Sequence, residues 1–295
     1  ASIGSDLLGD GSESDPWQTL TFAVDQLSSS DHVVHVAPGL YDAALGELFP
    51  VVFSSRLQVR GSGPEPAVFD GGGSGMLFWI TATTPSTSPA SPTLEGLVLR
   101  GAESGVRVSV DSFLFQVPTL VLREVALRDM SGAGVEFLSP DLNTLLVRVI
   151  DSEFQSCRIG IDSRFVIEAQ TLVKAEGCTF EDCGIGARVQ AVFPTLAPAV
   201  SRIELNGCVV RDCRVGVRAE EWEATNSDVM VSLRDSLVTR CGTGLEAVNA
   251  AEIALERSTV SANQVGLGVG GVATELASFP LANSVVWDNG ALDLD

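Results

Sequence analysis

The residues best suited to chemistry in this sequence are a few charged and aromatic side chains that recur at regular intervals. Arg148, Lys174 and Glu204 occupy one recurring position, and Glu176, Asn206, Arg234 and Glu256 occupy another two residues further on. A polysaccharide lyase needs a base for the proton beside a carboxylate and a cation to neutralise that carboxylate. Arg148 with Lys174, the one lysine of the chain, is the pair that would supply them, although Glu176 and Glu204 are placed to pair with those same cations. Asp182 and Asp212 share a further position. On adjacent strands their carboxylates would lie about 5 Å apart, the separation of a retaining glycosidase, as would any two stacked acids. Trp222, between Glu221 and Glu223, joins Phe113, Phe115, Phe137, Phe165 and Phe193 as aromatics near the ends of successive repeats. Together they could form a wall on which a sugar ring stacks while the acids accept its hydroxyl hydrogen bonds. The plainer alternative is a hydrophobic flank. Asp6, Asp10 and Asp15 lie in a glycine-rich leader and offer hard oxygen donors for Ca²⁺, without the spacing of an EF-hand.

These residues need elements to hold them in line, and an internal repeat supplies the elements. From about residue 92 a phrase recurs: LEGLVLRGAESGV, VIDSEFQSCRIGI, AEGCTFEDCGIGA, NGCVVRDCRVGV, RDSLVTRCGTGL, ERSTVSANQVGL. Aligned, it gives three rows. One holds Ala102, Met130, Cys157, Cys183, Cys213, Cys241, Asn263 and Asn289. A second holds Leu97, Val125, Ser152, Cys178, Cys208, Ser236, Ser258 and Ser284. The third, after a glycine, holds Val106, Val135, Ile161, Ala187, Val217, Leu245 and Leu267. A period near 27 residues built of short alternating segments predicts a solenoid of parallel strands, each coil adding about 4.8 Å along the axis. Pairs such as Val147/Val149, Val173/Ala175 and Ile203/Leu205 alternate with polar residues and are expected to point inward.

Composition narrows the function. The 295 residues carry a net charge of −20, which opposes nucleic acid and anionic membranes. At 45% hydrophobic the chain is too apolar for a disordered acidic polymer, and no apolar run is long enough to span a bilayer. All six cysteines fall in the first two rows. They read as small buried residues stacked in the interior. Disulfides between neighbouring coils are the alternative, and zinc is disfavoured because His32 and His35 lie elsewhere.

The N-terminal part differs. Asp15-Pro16-Trp17-Gln18 predicts a helix start with Asp15 as N-cap, continuing to about residue 30 with Trp17, Leu20, Val24 and Leu27 on one face. Such a helix is the expected cap over the first coil. The run GDGSESDPWQTLTFAVDQLSSSDHVVHVAPGLYDAALGELFPVVFSSRLQVRGSGPEPAVFDGG resembles the start of right-handed parallel β-helix proteins of the pectin-lyase-like superfamily, and more narrowly a DUF1565 segment. Pro16-Trp17-Gln18-Thr19-Leu20, Val36-Ala37-Pro38-Gly39-Leu40-Tyr41 and Gly46-Glu47-Leu48-Phe49-Pro50 carry the resemblance. It implies an extracellular, periplasmic or cell-surface protein in polysaccharide-related company, and a removed signal peptide ahead of Ala1. It implies no particular activity, because the fold hosts lyases, hydrolases, epimerases and inert scaffolds.

The sequence thus predicts an all-β, right-handed parallel β-helix of roughly ten coils over 1–295: an acidic leader at 1–14, a capping helix at 15–30, first coils at 31–91 and regular repeats at 92–295. The expected role is structural, or binding of a polysaccharide or surface protein, without catalysis and without nucleic acid. A lyase using Arg148 and Lys174 is the alternative. Self-association through the C-terminal coil, which no helix covers, is a third.

Overall fold

The computed structural model describes residues 4–27, 32–54, 57–73, 75–82, 91–110, 119–139, 144–165, 170–191, 200–221, 228–270 and 277–293. Its strands form three parallel sheets of ten strands each, and every strand pairs with the one three further along the chain. One strand of each sheet makes a coil. Coil 5 comprises Thr144–Ile150 in sheet 1, Glu153–Gln155 in sheet 2 and Ile159–Phe165 in sheet 3. Coil 6 comprises Gln170–Glu176, Thr179–Glu181 and Ile185–Ala191, and coil 7 Val200–Asn206, Val209–Arg211 and Val215–Glu220. Seven coils, from the strand Thr93–Glu95 to the strand Val265–Gly270, follow this regular pattern. The two before them and the one after are variants of it.

The three rows read from the repeat are continuous ladders. The carbonyl of each cysteine-row residue accepts from the amide one coil on: Arg158 on Met130, Gly184 on Cys157, Arg214 on Cys183, Gly242 on Cys213. The row after the glycine pairs Val106, Val135, Ile161, Ala187, Val217, Leu245 and Leu267 in register. Val147, Val149, Val173, Ala175, Ile203 and Leu205 point into the core and are buried. Phe154 and Phe180 stack inside sheet 2 with centroids 4.7 Å apart.

Each coil turns twice through a left-handed residue. Between sheets 1 and 2 these are Glu124, Asp151, Gly177, Gly207 and Asp235; between sheets 2 and 3 they are Asp129, Ser156, Asp182, Asp212 and Arg240, with φ of 48–65°. Aspartate and glycine tolerate this conformation well, so these corners account for six of the chain's 38 acids. The glycine that precedes the third row answers a different need. A Cβ on Gly160 would sit 2.4 Å from the Gly186 carbonyl oxygen and 2.7 Å from the Phe180 ring, so only glycine lets the coils approach there.

The six cysteines are buried in the interior rows, as the stacked-interior reading expected, and their thiols are free. Their Sγ atoms contact backbone carbonyls, for example Cys183 on Glu181 at 3.4 Å and Cys208 on Ala175 at 3.4 Å. Hydrogen bonding to the thiol one coil earlier, reinforced by burial, pushes Cys183 and Cys213 up to about 12.

The N-terminal helix is a correction. It spans Leu20–Asp25, not 15–30, and its N-cap is Thr19, whose side chain accepts from the Phe22 amide. The carbonyls that an earlier start would need are taken: Asp15 accepts from Asp10 and Gly11, and Pro16 from Ser5. Two carboxylates receive the helix's first amides instead. Asp6 accepts from Gln18 and Thr19 (2.7 and 3.0 Å), and buried Glu47 accepts from Leu20 and Thr21 (2.8 and 2.9 Å). Leu20 and Ala23 bury against the first coils, with Trp17, Val24 and Leu27 packed beside them. Residues 28–31, where the helix was expected to end, lie outside those described. At the other end Leu281, Val285 and Trp287 of the last coil are exposed. Among the described residues no helix is long and apolar enough to cross a membrane.

Candidate functional site on the outer face of sheet 3

The register sets which side chains share a face. On sheet 1, Arg148, Lys174 and Glu204 do stack on successive strands. Lys174 pairs with Glu204 at 3.1 Å and Arg148 with Glu176 at 3.2 Å, so the cations expected to act on a substrate hold carboxylates of their own sheet. Asp182 and Asp212 stack at the corner between sheets 2 and 3. Asp212 holds Arg240 in a bidentate pair at 2.6 and 2.8 Å, which keeps its carboxyl below the usual range, and Asp182 accepts from the Ser156 hydroxyl at 3.1 Å. Their positions follow from the left-handed turn.

Of the aromatic wall, Phe137 turns inward and is fully buried in the core, a correction that follows from strand alternation. Glu221 is also buried, its amide bonded to the Val248 carbonyl and its carbonyl to the Asn249 side chain. Trp222, Glu223, Phe193, Phe113 and Phe115 lie outside the described residues, as does the Phe165 side chain. Asp6 serves the helix amides, and Asp10 accepts from the Ser12 amide at 2.9 Å. Asp15 is exposed. Among the described residues no three acids, imidazoles or thiols gather as a metal set.

The distinctive surface lies on sheet 3. Its outward row runs Arg107, Glu136, Asp162, Arg188, Arg218, Glu246. From alternating signs alone this row reads as solvated ion pairs, yet Glu136 and Asp162 are 3% and 1% exposed. Guanidiniums cover them. Arg107 donates to Glu136 at 2.8 Å, Arg164 bridges Glu136 and Asp162, and Arg188 grips Asp162 with two bonds of 2.8 and 2.9 Å. Burial, with Arg188 and Arg107 nearby, lowers the pKa of Arg164.

Beside this network lies a groove of about 430 Å³ lined by Arg158, Gly184, Arg188, Arg214, Arg218 and Glu220 over a floor of Ile159 and Ile185. Ala133, Ile159, Ile185 and Val215 form a small apolar cluster separate from the main core. Arg218 pairs with Glu220 and Glu246 (3.2 and 3.3 Å). Arg158 and Arg214 are exposed and have no carboxylate partner among the described residues. Nothing in the sequence reading singled them out. The signal was present in the row after the cysteines, which alternates Gly132, Arg158, Gly184, Arg214, Gly242.

A family model described as a protein of unknown function (DUF1565) matches residues 2–108. No curated protein matches the sequence. Among solved structures the chain is similar to the pectate lyase Pel9A, with a TM-score of 0.57, 13% identity, and coverage of 96% of this chain and 78% of that one. It also aligns with the A-module of the mannuronan C-5 epimerase AlgE4 of Azotobacter vinelandii (TM-score 0.49, 13% identity, 89% and 90% covered) and with a rhamnogalacturonan lyase (0.47, 11%, 99% and 87%). At these identities the likeness is one of fold. Three continuous parallel sheets and the stacked interior rows make this chain a parallel β-helix, the fold it shares with the pectate lyase, and its residues 2–108 match the DUF1565 model.

Proposed function

We propose that the protein is an extracytoplasmic, non-catalytic β-helix that binds a polysaccharide along the outer face of sheet 3. The observation that carries this reading is a contrast in pairing. The groups that would perform elimination or hydrolysis, Lys174, Arg148 and Asp212, each hold an ion partner. Among the described residues Arg158 and Arg214 have no carboxylate partner and line a groove, in a chain of net charge −20; Arg123 and Arg202, also without one, lie on sheet 1. A groove with an apolar floor and polar rims suits a sugar chain lying across several coils. The shared fold with a pectate lyase supports polysaccharide as the ligand class.

The test is a panel of polysaccharides examined twice, for retention by the protein and for release of reducing or unsaturated ends. Retention without product is expected. A depolymerising activity that Lys174→Ala abolishes would overturn the reading in favour of a lyase.

A further inference from the structure

We propose that the sheet 3 groove is a clamp for a sulfate or phosphate monoester carried on a glycan, with Arg158 and Arg214 as its two jaws. This rests on the reading of that groove as the glycan-binding face. Arg158 and Arg214 belong to one row, two coils apart, so their Cα atoms are separated by about 9.6 Å along the axis. Gly184 stands between them on the intervening coil and puts no side chain in the gap. Both guanidiniums can therefore turn toward the same point above Gly184, with Ile159 and Ile185 beneath.

The chemistry of the anion follows from the donors. One guanidinium fork satisfies both oxygens of a planar carboxylate. Two forks on opposite sides of one anion are best matched by a tetrahedral group such as a sulfate or phosphate monoester, whose three terminal oxygens point toward both jaws, whereas a uronate must share two coplanar oxygens between the forks, as Asp162 does between Arg188 and Arg164. The remaining walls are already neutralised, Arg188 by Asp162 and Arg218 by Glu220 and Glu246. They shape the groove and leave two positive charges for the ligand.

The experiment is calorimetric titration at low ionic strength with a sulfated glycan, the same glycan desulfated, a phosphorylated glycan, an unesterified polyuronate, and inorganic sulfate and phosphate. Binding of the sulfated or the phosphorylated glycan is expected, and whichever binds names the ester. Arg158→Gln and Arg214→Gln should each weaken it about tenfold or more, while Arg123→Gln, on sheet 1, should not. Both arginines are exposed, so an unchanged melting temperature verifies that the variants fold. Polyuronate binding of equal strength and equal arginine dependence overturns the ester clamp and leaves the glycan reading standing. So does binding of the desulfated glycan that ignores both substitutions. Arginine-dependent binding of inorganic sulfate or phosphate alone upholds the clamp's oxyanion chemistry and removes the glycan. If no anion binds, the clamp falls, and the glycan reading falls with it unless the desulfated glycan or another neutral polysaccharide is retained.

Discussion

Asp162→Asn should weaken the fold and tighten the groove at once. Asp162 is 1% exposed and accepts from Arg188 at 2.8 and 2.9 Å, with Arg164 at 3.0 Å. Removing one partner of a fully buried ion pair costs about 3–5 kcal/mol. Here the guanidiniums are 19% and 35% exposed, and Arg164 keeps Glu136, so water recovers part of that cost and about 2–3 kcal/mol remains. With an unfolding entropy of about 2.1 cal/mol/K per residue over the whole chain, this lowers the melting temperature by about 4 °C. In a repeat array that melts in sections, the transition containing coils 5 and 6 should carry the shift. The same substitution frees Arg188, which already lines the groove, and adds a third uncompensated cation there. Affinity for an anionic ligand should rise severalfold. Scanning calorimetry and titration on one preparation read both effects. An unchanged melting temperature would refute the assignment of net stability to the buried pair. An affinity that falls would show that Asp162 holds Arg188 in place for the ligand rather than competing for it.

Other consequences are open to direct measurement. In the unfolded chain a thiol titrates near 8.5, whereas Cys183 and Cys213 are held near 12. Their contribution to stability is therefore full below about pH 8.5 and is lost as pH rises toward 12. Cys178 and Cys241 are pushed up as well, and with one tyrosine in the sequence and Lys174 its one lysine, thiols dominate that window. The urea midpoint should decline above pH 9, and Cys183→Ala with Cys213→Ala should lessen the decline without abolishing it; a wild-type midpoint constant to pH 11 contradicts the buried-thiol account. Phe180→Ala should cost about 3–5 kcal/mol by emptying the stack with Phe154, and a loss under 1 kcal/mol by denaturant titration would show that neighbouring coils collapse into the space. Glu47→Ala strips the acceptor from the Leu20 and Thr21 amides and should cost about 1–3 kcal/mol. Amide exchange in Leu20–Asp25 should quicken while that of coils 5–8 holds; uniform quickening would mean that the helix and the coils open as one unit.

The interior was legible in the sequence because it is local and repeated. A residue such as Cys183 or Ala187 meets the same environment one coil earlier and later, so alignment of the chain with itself exposes the rows. The corners were legible as turns but misleading as chemistry. Asp182 and Asp212 look like a carboxylate pair, yet a left-handed backbone favours Asp, Asn or Gly there whatever the function, although Ser156 and Arg240 also occupy that corner. The helix start was misplaced because its true acceptors come from far along the chain: Glu47 reaches back to Leu20, and the leader takes the Asp15 and Pro16 carbonyls. Local capping rules do not see such partners. The groove escaped notice because Arg158 and Arg214 lie in different repeats with Gly184 between them. Only the register makes them neighbours.

That register also explains why unpaired arginines on this surface carry meaning. A parallel solenoid sets every outward residue about 4.8 Å from its counterpart on the next coil, so a charge on one strand meets the charge on the next. Like charges in that position destabilise a sheet, and where they do meet here, as at Arg148 and Lys174 or Arg188 and Arg218, each cation turns aside to a carboxylate of its own or a neighbouring coil. Arg148 answers Glu176, Lys174 answers Glu204, Arg211 answers Glu181 and Arg234 answers Glu256. In a chain with more than twice as many acids as bases, an arginine finds a partner easily. Arg158 and Arg214 instead have glycines at Gly132, Gly184 and Gly242 on the flanking coils, positions that cannot supply a carboxylate. Folding gains nothing from two exposed, unpartnered cations set apart in this way. Arg123 and Arg202 of sheet 1 also lack a carboxylate partner among the described residues, so it is the glycine gap between Arg158 and Arg214 and the groove they line, rather than a missing partner alone, that direct the search for an anion from solution to sheet 3.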